Sequence, residues 1–114
     1  MEDCLFCKII KKEIKSDIVF ENDAVLIFKD ISPQAPVHLL AVPKEHIGSI
    51  LEVEKLDCRQ LKELIDAVSR IAVEYELDKD GFRIVINTGT GAGQSVNHLH
   101  FHILGKRKLS WPPG

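Results

Sequence analysis

No stretch of this chain approaches the ~20 consecutive apolar residues needed to cross a bilayer, so a membrane partner is not expected. Basic stripes are missing too: 15 Lys and Arg stand against 17 Asp and Glu, a net charge of −2, and nucleic acid is not an expected partner. Cysteine is scarce. Three cysteines make no disulfide framework. The start Met1-Glu2-Asp3 is acidic where a signal peptide would be basic, which points to the cytoplasm. In that reducing compartment Cys4 and Cys7 are thiols or metal ligands. Internal repeats and low-complexity tracts are absent, and 114 residues make a single domain, 1–114.

The chain does have three histidines at alternate positions, His98, His100 and His102, with Leu99, Phe101 and Ile103 between them. That is the period of a strand, so the imidazoles share one face while the apolar residues enter a core. A solvent-facing strand would draw on Thr, Lys, Glu and Gln as well. A face made only of imidazole, which can be base, acid, nucleophile or metal ligand, points to chemistry.

The rest of the pattern is α+β. Cys4 to Lys12 reads as a short helix with Leu5, Phe6, Ile9 and Ile10 on one side. Ile18 to Glu21 and Ala24 to Lys29 read as a hairpin turning at Asn22-Asp23, and the two prolines of Ile31 to Pro36 make a loop. Val37 to Val42 is a third strand. From about Glu54 to Glu76, Leu61, Leu64, Ile65, Val68, Ile71, Ala72 and Tyr75 recur at threes and fours, the mark of a long amphipathic helix, with Cys58 on its core side. Phe82 to Asn87 and His98 to Leu104 complete five strands, which with short links favour a largely antiparallel sheet.

Between the last two strands lies Thr88-Gly89-Thr90-Gly91-Ala92-Gly93-Gln94-Ser95. Its glycines let the backbone approach an anion, and Gln94 and Ser95 add donors. It lacks the lysine of a P-loop and leads into a strand, so that fingerprint does not apply. A long hairpin connection is the plain alternative. Its position just before three histidines suits an oxyanion held against a nucleophile.

The run His98-Leu99-His100-Phe101-His102-Ile103-Leu104 resembles the histidine triad motif. The likeness extends through Asp30 to Pro36, Val42-Pro43-Lys44-Glu45-His46-Ile47, Gly93-Gln94-Ser95-Val96 and Trp111-Pro112-Pro113-Gly114. Over nearly its whole length the chain looks like a Hint-branch member of the histidine triad (HIT) family. The resemblance implies the HIT fold, a five-stranded antiparallel sheet with one long and one short helix that dimerises, and hydrolysis of purine nucleoside phosphoramidates such as AMP linked to an amine.

By that resemblance His100 attacks the α-phosphorus, while His38 and His102 surround the phosphate. Attack by imidazole on a P–N bond forms another P–N bond, so substrate and nucleotidyl-histidine lie close in energy. Ser95 and Gln94 would hold the phosphate or leaving group, with Asn87 in the same region. Asp30 suits a ribose, since a carboxylate can accept from both hydroxyls. The base would lie among Leu5, Phe6, Ile9, Phe28 and Ile31, residues that are otherwise core. Some relatives with an early CxxC complete a structural zinc site with a later histidine and the first histidine of the triad. Here the four would be Cys4, Cys7, His46 and His98. The rival functions are a dinucleoside polyphosphate hydrolase, a non-catalytic nucleotide-binding or scaffold protein, and a metalloenzyme with all three triad histidines on one metal. The Trp-Pro-Pro-Gly end, the intact His100, and the absence of an acidic residue near the triad weigh against these in turn.

Overall fold

In the computed structural model, which describes residues 3–114, β1 (Ile18–Glu21), β2 (Val25–Lys29), β3 (Val37–Pro43), β4 (Phe82–Val85) and β5 (Phe101–Gly105) form one antiparallel sheet in the order β1-β2-β3-β5-β4. The acidic Met1-Glu2 start lies outside the described residues. Among the described residues no helix is long and apolar enough to cross a membrane.

Strand alternation divides the apolar residues between the two faces. Val25, Ile27, Leu39, Ala41, Leu99, Phe101 and Ile103 join the main core under α2 (Cys58–Glu74), whose Leu64, Ala67, Val68, Ile71 and Ala72 are buried. Leu64 and Ile71 are wholly buried, each contributing about 1.5–3 kcal/mol of transfer free energy. Leu26, Phe28, Leu40 and Val42 point to the other face, where Phe6 and Ile9 of α1 (Leu5–Ile10) cover them.

The boundaries shift from the sequence reading for identifiable reasons. Helix α2 begins at Cys58, because Asp57 and Gln60 close a capping box. Glu54 and Lys55, expected at the start of the long helix, belong to a separate 3-10 segment, Ile50–Lys55, capped by the Ser49 hydroxyl. Cys58, expected on the core side, is exposed at the first turn, and Ile65 is 48% exposed. The β5 ladder begins at Phe101. His98 to His100 keep the alternation, but Leu99 N–H donates to Ile47 O and so pairs with the chain after β3. Likewise β4 ends at Val85, two residues before Asn87.

Candidate active site and metal-ligand cluster

The triad face is divided between two assemblies. At its first position His98 is fully buried, and its Nε2–H donates to Pro43 O at 2.8 Å. That bond leaves Nδ1 bare, facing Cys4 Sγ at 3.4 Å, Cys7 Sγ at 3.6 Å and His46 Nδ1 at 3.1 Å. Cys7 Sγ stands 3.3 Å from His46 Nδ1. All four donor atoms lie within 4.8 Å of one another.

Tetrahedral zinc, with bonds of about 2.3 Å to sulfur and about 2.0 Å to nitrogen, separates its ligand atoms by about 3.3–3.8 Å. Three of the observed spacings, 3.3, 3.4 and 3.6 Å, fall in that range and the fourth, between the two imidazoles, is 3.1 Å; two thiols with two imidazoles are a donor set zinc takes. Burial, then the hydrogen bond and charge of Cys4, push the Cys7 thiol up to about 11, and burial drives His98 down to about 4. Both groups are therefore neutral at neutral pH, and a bound cation would supply the charge that favours the thiolates. The cluster is compatible with zinc.

His100 and His102 belong to the second assembly. The His100 Nδ1–H donates to the carbonyl of His98 at 2.7 Å, leaving Nε2 with its lone pair. Phe6 stands edge-on to the His100 ring, centroids 5.0 Å apart and planes at 84°. A hydrogen-bond chain sets the other two rings. Gln34 N–H donates to His38 Nδ1 at 3.0 Å, so the His38 proton is on Nε2, from which it reaches His102 Nδ1 at 2.9 Å and Asp30 Oδ2 at 3.4 Å. His102 in turn carries its proton on Nε2. Burial lowers the His38 pKa against the pull of Asp30. Burial, then the charges of His100 and His38, lower His102 to about 4. Both rings are neutral at neutral pH. Asp30 Oδ1 also accepts from Ser32 N–H at 2.7 Å, which shapes the proline loop.

His100 and His102 line a cavity of ≈ 240 Å³ with Ser95 and Asp30, and its apolar walls include Leu5, Phe6, Ile9, Phe28 and Ile31. The sequence-derived base, ribose and phosphate residues thus line one cavity, apart from three. His38 lines a neighbouring pocket with Asp30 and reaches this one only through His102. Asn87 is absent from the lining. Gln94 is buried, and its amide is committed internally, donating to Gly48 O at 2.7 Å and Val96 O at 3.1 Å and accepting from Gly89 N–H at 2.9 Å. Its side chain shapes the glycine loop and has no donor left for a phosphate. Ile31 is 94% exposed at the rim. Three functional groups that sequence reasoning missed are backbone atoms: Gln34 N–H, Pro43 O and His98 O. Main-chain atoms leave no residue-type signal.

The HIT domain family profile matches residues 11–109. The chain belongs to the HIT family. A crystal structure of a HIT family hydrolase from Legionella pneumophila superposes with a TM-score of 0.94 at 45% identity, covering 98% of this chain and 100% of that one. A histidine triad nucleotide-binding protein from Candida albicans gives a TM-score of 0.85 at 31% identity over 96% of this chain and 83% of that chain. The 14 kDa zinc-binding protein of Brassica juncea is 46% identical over 114 residues, 98% of this HIT chain and 100% of its own length. Cys4 and Cys7 precede the matched family span, and the Legionella structure covers 98% of the chain.

Proposed function

We propose that this HIT protein hydrolyses purine nucleoside 5′-phosphoramidates, of the AMP–amine type, through a nucleotidyl intermediate on His100. The observation that carries the reading is the 2.7 Å hydrogen bond from His100 Nδ1 to the His98 carbonyl, which makes Nε2 the nucleophilic nitrogen at the cavity. His100 Nε2 attacks the α-phosphorus, and the P–N bond to the amine breaks as the amine takes a proton from solvent. Water then attacks the same phosphorus, the P–N bond to Nε2 breaks, the water proton returns to solvent, and Nε2 recovers its lone pair.

The lowered pKa keeps His102 neutral at neutral pH, so its Nε2–H stabilises a phosphoryl oxygen by hydrogen bonding rather than giving up its proton. His38, oriented by Gln34 and Asp30, holds His102 in that tautomer. The Ser95 hydroxyl borders both this cavity and a wider cleft beside it, the side on which the amine leaves and takes its proton. Asp30 accepts from the ribose, and the apolar walls take the purine.

Cys4, Cys7, His46 and His98 would hold a structural zinc that crosslinks α1 to the chain after β3 and to the triad, supplying rigidity. We further infer a homodimer joined along β4, which lies at the sheet edge with Phe82 and Ile84 at 36% and 44% exposure and Ile86, just beyond its end, at 36%.

Mixing the protein with an AMP-amine substrate, quenching with an acid-free denaturant and measuring intact mass tests the mechanism. A nucleotidyl adduct that is absent from His100→Ala is expected. Turnover without any adduct, under conditions that trap other phosphohistidines, overturns it.

A further inference from the structure

The helix that closes the cavity also carries the cluster ligands. Cys4 caps α1, its sulfur accepting from Cys7 N–H at 3.3 Å, and Phe6 and Cys7 are neighbours in a helix of 6 residues. Helices this short are not stable on their own, so the position of α1 is set by what its side chains are tied to. Cys4 and Cys7 meet His46 and His98. Between the cluster and the cavity, Phe6 is 4% exposed and packs edge-to-face with three rings: His100 and Phe28 at 5.0 and 5.4 Å between centroids, and the cluster's own His98 at 6.0 Å. Phe6 also lines the cavity.

We propose that Phe6 is a positioning residue that couples the four-ligand cluster to the nucleophile, so that zinc retention and nucleotide binding reinforce each other. The coupling rests on the nucleotide reading of the cavity. Clamping Cys4 and Cys7 to the cluster fixes α1, and with it the ring edge against His100 and the wall on which the base lies. A nucleotide pressing on that wall holds α1 in the same place and thereby holds the two thiols at the cluster. Linkage makes the two effects equal in size. An aromatic ring transmits this constraint because edge-to-face packing prefers a defined angle, whereas a branched aliphatic side chain fills space without one.

The test needs no turnover. AMP binding to the zinc-loaded protein is measured first by calorimetry, and zinc affinity is then measured by competition with a chromophoric chelator, with and without saturating AMP. In the wild type AMP is expected to tighten zinc about fivefold or more, a factor within the usual range for coupled sites. In Phe6→Leu zinc still binds but the factor falls to near one, while Phe6→Tyr, which keeps the ring, retains it. Failure of AMP to bind the loaded wild type overturns the nucleotide reading, and the coupling with it. If AMP binds but zinc affinity does not respond, the coupling alone is overturned. An equal response in wild type and Phe6→Leu also overturns it, since the linkage would then run through folding as a whole. If Phe6→Leu does not fold, the wild-type response and Phe6→Tyr decide, and a lost response in Phe6→Tyr with AMP still bound rejects the assignment to the ring.

Discussion

The carbonyl of His98 accepts the Nδ1 proton of His100 at 2.7 Å, while the imidazole of the same His98 faces Cys4, Cys7 and His46. One residue thus serves the metal-ligand cluster with its side chain and His100 with its backbone. His100→Ala should remove nearly all turnover yet still bind AMP, because the walls and the remaining donors survive. Turnover within about tenfold of the parent would reject His100 as nucleophile.

Asp30 has two duties that separate by substrate. On the proposed function, its contact with His38 at 3.4 Å serves the phosphate end and its place in the cavity serves the ribose. In Asp30→Ala the loss for a ribonucleotide should exceed that for its 2′,3′-dideoxy analogue by roughly 1–3 kcal/mol. Titration calorimetry of the two ligands decides it: equal losses leave Asp30 with its His38 duty only.

Protein purified without chelators should carry about one zinc per chain by elemental analysis, and Cys4→Ser should lower both metal content and melting temperature. Catalysis should suffer less than stability. Activity that vanishes on chelation and returns with zinc, at unchanged secondary structure, would instead make the metal catalytic.

His102, lowered to about 4 by burial first, gives stability a direction in pH. A free imidazole titrates near about 6.5, so as pH falls below that value the unfolded chain takes up a proton that folded His102 refuses. Its contribution is full above the unfolded pKa and is lost progressively down to about pH 4. Melting temperatures of His102→Asn should therefore fall less steeply than those of the wild type between these limits. Parallel curves would show that the ring titrates normally in the fold.

At the sheet edge, Ile84→Lys should turn the inferred dimer into monomer with little change in fold, because Ile84 is 44% exposed in the single chain. Sedimentation velocity reads the outcome. A wild type that is already monomeric at micromolar concentration removes the proposed interface.

Much of this was legible before the fold was known, because periodicity reports which face a side chain takes. Alternation set Leu99, Phe101 and Ile103 in the core and the three imidazoles opposite, and the threes-and-fours spacing found α2. It could not find where α2 starts, since Asp57 and Gln60 act through a reciprocal cap rather than through hydrophobicity. Nor could it assign Gln94. A glutamine beside glycines carries the same signal whether it serves a phosphate or, as here, Gly48 O, Val96 O and Gly89 N–H. Cys58 has the spacing of a core residue, but spacing alone does not register that it is the first residue of α2, where it lies exposed.

The Gln34–His38–His102 chain has a directional consequence. Because Gln34 N–H fixes the proton on His38 Nε2, and that proton reaches His102 Nδ1, the run of donors points one way, ending on His102 Nε2–H. His100, its ring centroid 5.1 Å from that of His102, instead ends on a bare nitrogen. Two adjacent rings therefore present opposite hydrogen-bonding character, and on the proposed function a tetrahedral phosphorus set against them would have inequivalent non-bridging oxygens. The cavity floor is handed, and a substrate with sulfur in place of one such oxygen meets it as two different molecules, one for each configuration at phosphorus.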